Sequence, residues 1–295
     1  MRLIKPSYQI LAASGKADIL PYNYEFQPNK LIELAGRTCY KSEGDITLES
    51  SIEFIDKIKK RKHLSVLEHS WELRYYKYPV PRYKFLNYMQ FEFGTLVAGN
   101  NRAFNEANIK DEKIQLKPSQ NMIEDIYTYH RWDMLSASAK LIINRGISHE
   151  IIRHRPVSYS QESTRYCNYS KNKFSGHVTY IIPPWTKFEP WKGDLYNIPP
   201  EEVRTDIDHQ IWFKNLLRAE RDYFELLKNG WTPQQARDIL PNALKTEIVI
   251  TCSLQEWIYI FNLRALGTTG TPHPQMGEIM LPLYENFKNL FPEAF

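Results

Sequence analysis

The 295-residue chain carries 38 Lys+Arg against 34 Asp+Glu, a formal charge of +4, with 42% hydrophobic and 24% charged residues. This is the balance of a globular protein of one large domain or two small ones, and it excludes a disordered chain or a histone-like polycation. The 12 glycines form no GxGxxG and no GxxxxGKS/T, which removes a Rossmann fingerprint and a P-loop. No run of 18 apolar residues exists to span a membrane, and polar residues break the start of the chain too often for a signal peptide. Cys39, Cys167 and Cys252 cannot all pair and lack CxxC spacing. They read as small buried apolar residues of a reducing, cytoplasmic compartment, against a disulfide scaffold or a zinc finger. Aromatics make up 14%, with 19 Tyr, which suits cores, interfaces and planar ligands.

No repeat, low-complexity tract or Gly/Ser linker interrupts the chain, so residues 1–295 are read as a single domain. A first helix is predicted over 28–40, with Pro28 near its start and Leu31, Leu34 and Ala35 on one face. A second covers 47–62, where Leu48, Ile52, Ile55 and Ile58 recur at helical spacing and lysines crowd the C-terminal end. Ser70 opens a strand in which Trp71, Leu73 and Tyr75 alternate with Glu72, Arg74 and Tyr76 as far as Pro79. A strand over 89–98 follows, then Asn100, Asn101 and a short helix to Asn108, then a polar surface loop over 110–120. Residues 139–143 form another strand, Gly146 punctuates, and a short helix covers 148–153.

The longest helix is predicted over 205–229, capped by Thr205, with Ile207, Ile211, Leu217 and Leu227 on its apolar face and Gly230 at its end. Thr232-Pro233-Gln234-Gln235 is a capping box, and residues 244–252 alternate as a strand. Ser253-Leu254-Gln255-Glu256 is a second box that opens a helix to about 266, and a last helix follows Pro274. The fold class is therefore α+β: a modest antiparallel sheet with flanking helices, one of them long, and no Rossmann fold.

The chemistry concentrates in Arg153-His154-Arg155-Pro156-Val157-Ser158-Tyr159-Ser160-Gln161-Glu162-Ser163-Thr164-Arg165-Tyr166. From 149 to 173 five Lys/Arg face two acids. Arginine forks bind phosphate at two points, and hydroxyls and backbone N–H groups complete such a site, so the segment suits a phosphate-bearing ligand beside a polar heterocycle. A solvated basic face is the plainer alternative, but it would favour lysine, and no Lys precedes Lys171 here.

Arg153-His154-Arg155, seven residues, then Ser163-Thr164-Arg165-Tyr166 resembles the signature of the flavin-dependent thymidylate synthases, the ThyX family. Gly36-Arg37-Thr38-Cys39-Tyr40 is similar to the end of that family's early helix. His63-Leu64-Ser65-Val66-Leu67-Glu68-His69 is similar to its His-x-Ser/Thr-x-x-Glu-His segment, and Ala236-Arg237-Asp238-Ile239-Leu240-Pro241 to its Ala-Arg-x-x-Leu-Pro. Phe261-Asn262-Leu263-Arg264, His273-Pro274-Gln275 and Glu278-Ile279 resemble its C-terminal block. The resemblance covers residues 30–70 and 140–290, with 76–135 standing as an insertion.

The resemblance implies methylation of dUMP to dTMP with methylenetetrahydrofolate as carbon donor, and FAD reduced by NADPH. It implies FAD contacts from Arg153, His154, Arg155 and Gln161, from Ser253, Leu254, Gln255 and Tyr259, and from Ser65 of a neighbouring subunit in a homotetramer with shared active sites. It implies dUMP contacts from Glu150, Ile151, Ile152, Arg153, Gln161, Glu162, Ser163, Thr164, Arg165, Arg237 and Arg264, with Arg264 the catalytic residue beside the uracil. Where the family often uses Asn and Arg for flavin, this chain has Ser253, Gln255 and Tyr259, and Gln255 removes a charge. Glu150 is placed against the base or against Arg153, because an acid beside phosphate is costly. Residues 267–272 lengthen the link from Arg264 to His273, which could equally start a helix. Positive neighbours should keep His154 neutral.

Two other classes compete. A nucleic-acid binder fits the basic charge and the tyrosines, but +4 is weak and no RNP, KH or zinc motif is present. A phosphohydrolase would need a carboxylate-rich metal site, and no His/Asp cluster has metal spacing, so no metal and no nucleic-acid or membrane partner is expected.

Overall fold

The computed structural model describes every residue except 17–26, 78–79, 110–114, 117, 175 and 195. In chain order the strands are β1 (Arg2–Ile4), β2 (Ser7–Ala13), β3 (Trp71–Tyr76), β4 (Asn87–Phe91), β5 (Gly94–Asn100), β6 (Gln115–Leu116), β7 (Ser136–Asn144), β8 (Ser158–Gln161), β9 (Thr179–Ile181), β10 (Trp191–Lys192) and β11 (Lys245–Ser253). The α-helices are α1 (Pro28–Thr38), α2 (Ser50–Lys60), α3 (Asn101–Glu106), α4 (Gln120–Thr128), α5 (Arg145–Ile151), α6 (Glu201–Thr205), α7 (Ile207–Lys228), α8 (Pro233–Ala236), α9 (Leu254–Arg264) and α10 (Pro274–Leu290). The α+β expectation holds.

The central sheet has the order β2-β7-β11-β8 and is antiparallel throughout. β11 and β7 pair from Lys245↔Asn144 to Ser253↔Ser136, so alternate residues of both strands line the same face. Ile248, Ile250 and Cys252, with Leu141 and Ala139, pack on α9 and α10 in the main core. Trp257 stacks on Phe261 at 5.4 Å there, and its indole N–H donates to the Ala137 carbonyl at 3.0 Å. The opposite face is mixed: Val249 packs on Leu31 and Ala35 of α1, while Glu247, Thr251, Ser138 and Lys140 make polar contacts.

A second sheet, β10-β1-β9, includes the parallel pair β1–β9. The surrounding core holds Leu3 and Tyr180 with Phe213, Leu216 and Tyr223 of α7. The third sheet, β4-β5-β3-β6, is antiparallel and formed largely by the stretch read as an insertion.

Several expectations are corrected. The strand expected over 89–98 is a hairpin of β4 and β5 that turns at Glu92-Phe93. Gly94 permits the packing, since a Cβ there would collide with the Tyr76 carbonyl. Strand β3 ends at Tyr76, and Pro79 lies outside the described residues. In the supposed loop over 110–120, Gln115–Leu116 pairs with β3, whereas 110–114 and 117 lie outside the described residues. Helix α4, N-capped by Ser119, follows unforeseen. Leu48 precedes α2 and Ile52 points outward, at 84% and 66% exposed, so only Ile55 and Ile58 of that stripe are buried. Thr205 closes α6 instead of capping α7. Asp206 does the capping, accepting from the Asp208 and His209 amides. The buried face of α7 is Phe213, Leu216, Leu217, Glu220 and Tyr223, leaving Ile207 and Ile211 exposed. Gly230, at φ +91, ends the helix region as expected, and both capping serine/threonine positions, Thr232 and Ser253, start helices. His273 caps α10 by accepting from the Gln275 amide.

Candidate active site

Helix α5 positions one end of the site. Asn144 caps it by accepting from the Ile147 amide at 2.7 Å. The Tyr159 hydroxyl secures its other end by donating to the Ile151 carbonyl at 2.7 Å. This turns Glu150 towards Arg264, at the end of α9. Arg264 donates Nη1 to Glu150 Oε2 at 3.2 Å, Nη2 to the Glu150 carbonyl at 3.2 Å, and Nε to His154 Nε2 at 3.0 Å. His154 Nε2 must therefore be the unprotonated acceptor. Burial, then Arg264 and Arg153, hold the imidazole pKa down at about 4, so the neutral form persists at physiological pH. The expectation of a neutral His154 holds, with burial the larger cause. Glu150 pairs with Arg264 and not with Arg153. Tyr259 packs edge-on against His154, with ring centroids 5.7 Å apart.

The other end is built by β8 and the turn after it. Gln161 donates to Ser148 Oγ at 2.7 Å and Thr246 Oγ1 at 3.2 Å, tying β8 to α5 and β11. The Ser163 amide donates to the Cys39 carbonyl at 2.9 Å. Arg237 reaches Thr164 Oγ1 at 3.2 Å, and Arg165 donates to Gln234 Oε1 at 3.0 Å. Arg145, which sequence reading missed, donates to the Glu162 carbonyl at 3.1 Å and lies in the field of Arg237. Its only sequence signal is a cation beside the Asn144 cap. Glu150 lies five residues further along α5, about 7.5 Å along the helix axis. Among the described residues, Arg145, Arg153, Arg155, Arg165 and Arg237 have no ion-pair partner.

Other expected site residues face inward. Ile151 and Leu254 are fully buried in the main core, so their side chains pack against protein. The Leu254 amide is also used, donating to the Leu135 carbonyl. The Glu162 carboxylate is buried and paired with Lys245 at 2.7 Å, leaving only its backbone near the turn. Ile152, Gln255 and Tyr259 are exposed, while Ser253 accepts from the Glu256 amide.

Ser65 lies apart, on the 3-10 turn Leu64–His69. It lines a cavity of about 440 Å³ with Tyr40, Lys62, His63 and Arg102. The last two residues of this turn, Glu68 and His69, are anchors. Glu68 accepts from Ser158 Oγ at 3.0 Å and pairs with Arg102 at 2.8 Å. His69 sits between Thr251 Oγ1 and Ser160 Oγ, each at 2.9 Å. Burial raises the pKa of all three thiols, to about 12 at Cys167, so none is a ready thiolate. Among the described residues no group of three or more His, Cys, Asp or Glu is placed to hold a metal ion, and no helix is long and apolar enough to cross a membrane.

Residues 93–293 match the family model described as thymidylate synthase complementing protein. A flavin-dependent thymidylate synthase of Geobacter sulfurreducens is 26% identical over 80% of this chain and 68% of its own length. One from Pyrococcus abyssi is 31% identical over 41% of this chain, and the match spans 42% of that relative. A solved structure of a UMP/dUMP methylase, PolB from Streptomyces cacaoi, aligns over 100% of this chain and 94% of its own with a TM-score of 0.46 and 15% identity.

Proposed function

Because the chain belongs to the thymidylate synthase complementing protein family, we propose that it methylates dUMP to dTMP, using methylenetetrahydrofolate, a bound FAD and NADPH. The observation that carries this reading is the set of uncompensated arginines along one segment and its neighbours. Among the described residues these five guanidinium groups have no carboxylate within ion-pair distance, which supports a site that takes an anionic ligand. The donor set fits a dinucleotide cofactor and a nucleoside monophosphate together.

In this reading Arg145, Arg165 and Arg237 hold the phosphate of dUMP, with Thr164 and the Ser163 hydroxyl beside them. Arg264 faces the uracil. The ring must become electron-rich at C5 to attack an electrophilic carbon, and a fixed guanidinium beside O2 and N3 stabilises the charge that makes it so. His154 and Glu150 orient that guanidinium from two sides. Arg153 and Arg155, with Gln255 and Tyr259, bind FAD, and Ser65 reaches a flavin bound mainly by a neighbouring subunit. Once bound, FAD supplies the redox chemistry that the side chains lack, drawing on NADPH. We assign the enzyme to the cytoplasm as a homotetramer of one domain, with 76–135 an insertion on it, and without nucleic-acid partners.

The folded protein is expected to hold FAD through gel filtration, giving a flavin absorbance band in the protein peak. Adding dUMP is expected to perturb that band. A folded protein that takes up no FAD would sink this reading.

A further inference from the structure

Glu247, near the start of β11, is 6% exposed yet contacts three lysines. Its carboxylate lies 2.7 Å from Lys41, 2.5 Å from Lys140 and 2.6 Å from Lys245. Lys41 and Lys140 share a second acid, Glu43, at 3.1 and 3.3 Å, and Lys245 reaches Glu162 at 2.7 Å. Three acids and three lysines thus form a neutral chain across the sheet. Its links come from distant parts of the sequence: the left-handed residue Lys41 (φ +52), strands β7 and β11, and the end of β8.

A chain of buried charges is a poor source of stability, because desolvation offsets much of the attraction. What it does well is fix positions, since each charge is satisfied in only one arrangement. The position fixed here is Glu162. Its carboxylate is held by Lys245, and Tyr169 donates to it at 3.4 Å. Its amide donates to the Glu247 carbonyl at 2.8 Å, and its own carbonyl accepts from Arg145. The next three residues are Ser163, Thr164 and Arg165.

We propose that Glu247 is a positioning residue: through Lys245 it sets Glu162, and with it the turn 162–165 that presents hydroxyl and arginine groups to the nucleotide phosphate. The phosphate part rests on the function proposed above, whereas the effect on the turn does not. Glu247 never meets the ligand. Removing its charge leaves Lys41, Lys140 and Lys245 sharing Glu43 and Glu162, so Lys245 and Glu162 lose their fixed geometry.

The test compares full-length wild type with Glu247→Gln by hydrogen exchange of a peptide covering 161–167 in ligand-free protein, and by dUMP titration of the FAD-loaded protein. The exchange is expected to quicken in that peptide, and the dUMP KM to rise by about tenfold with kcat at saturation nearly unchanged. A merely structural role would lower the active fraction and leave KM alone. If Glu247→Gln does not fold, Lys245→Met breaks the same chain one link later and is judged by the same criteria. Unchanged exchange over 161–167 overturns the inference. So does unchanged dUMP affinity in a variant whose wild type binds dUMP. A wild type that binds no dUMP defeats the proposed function alone, and the exchange result then decides the positioning role.

Discussion

Replacing Arg264 with alanine is expected to lower kcat for dTMP formation by about a hundred- to thousandfold at saturating dUMP, the effect of removing one fixed donor to a developing anion. The guanidinium is preorganised before any ligand arrives: Nε is held by His154, and the Nη groups by the Glu150 carboxylate and carbonyl. Little reorganisation is then needed when charge builds on the ring. The phosphate contacts proposed for Arg165 and Arg237 are of the kind made equally in ground and transition states, so losing either should mainly raise the dUMP KM. Arg264→Lys keeps the charge but loses the fork that spans His154 and Glu150, and should recover only part of the rate. NADPH-dependent reduction of the flavin should survive Arg264→Ala. If that variant forms dTMP at a near wild-type kcat, the catalytic role given to Arg264 is wrong.

The second large effect is on stability. His69 is fully buried between two hydroxyls, and burial drives its pKa from 6.5 to about 3. The unfolded chain binds a proton near pH 6.5 and the folded protein does not, so unfolding takes up a proton below that pH. Stability attributable to this group is therefore present above pH 6.5 and is lost as pH falls towards 3, at about 1.4 kcal/mol per pH unit. Between pH 7 and pH 5 the loss from His69 alone should be about 2 kcal/mol. Glutamine at 69 offers one donor and one acceptor, as neutral histidine does, without titrating. Denaturant unfolding at both pH values should show wild type losing about 2 kcal/mol more than His69→Gln. Parallel losses would contradict the assignment. The consequence reaches the site, because His69 ties the turn that carries Ser65 to β8 and β11.

What could be read in the sequence was local. The segment 153–166 declares itself by density, and Thr232 and Ser253 mark helix starts because capping needs only a few residues. The strand β11 shows its period directly. What could not be read depends on approach across the chain. The contact between Glu150 and Arg264 spans 114 positions, and that between Lys41 and Glu247 spans 206. No spacing rule reaches so far. The same limit explains Glu162, Ile151 and Leu254: the family resemblance implied ligand contacts there, while the main core takes the Ile151 and Leu254 side chains and Lys245 holds the Glu162 carboxylate. Apolar periodicity misled in α2 and α7, where Ile52, Ile207 and Ile211 continue a helical stripe on the exposed side. Arg145 was missed because its neighbours, the Glu162 carbonyl and Arg237, come from other elements.

Reductive methylation of dUMP, proposed for this arginine-lined site, can be read out in one anaerobic experiment. FAD-loaded protein is reduced with NADPH, freed of excess reductant, and mixed with dUMP and methylenetetrahydrofolate. dTMP is expected to form in an amount matching the reduced flavin, with return of the oxidised absorbance band. Reoxidation without dTMP, or a flavin that stays reduced when both substrates are present, would contradict it.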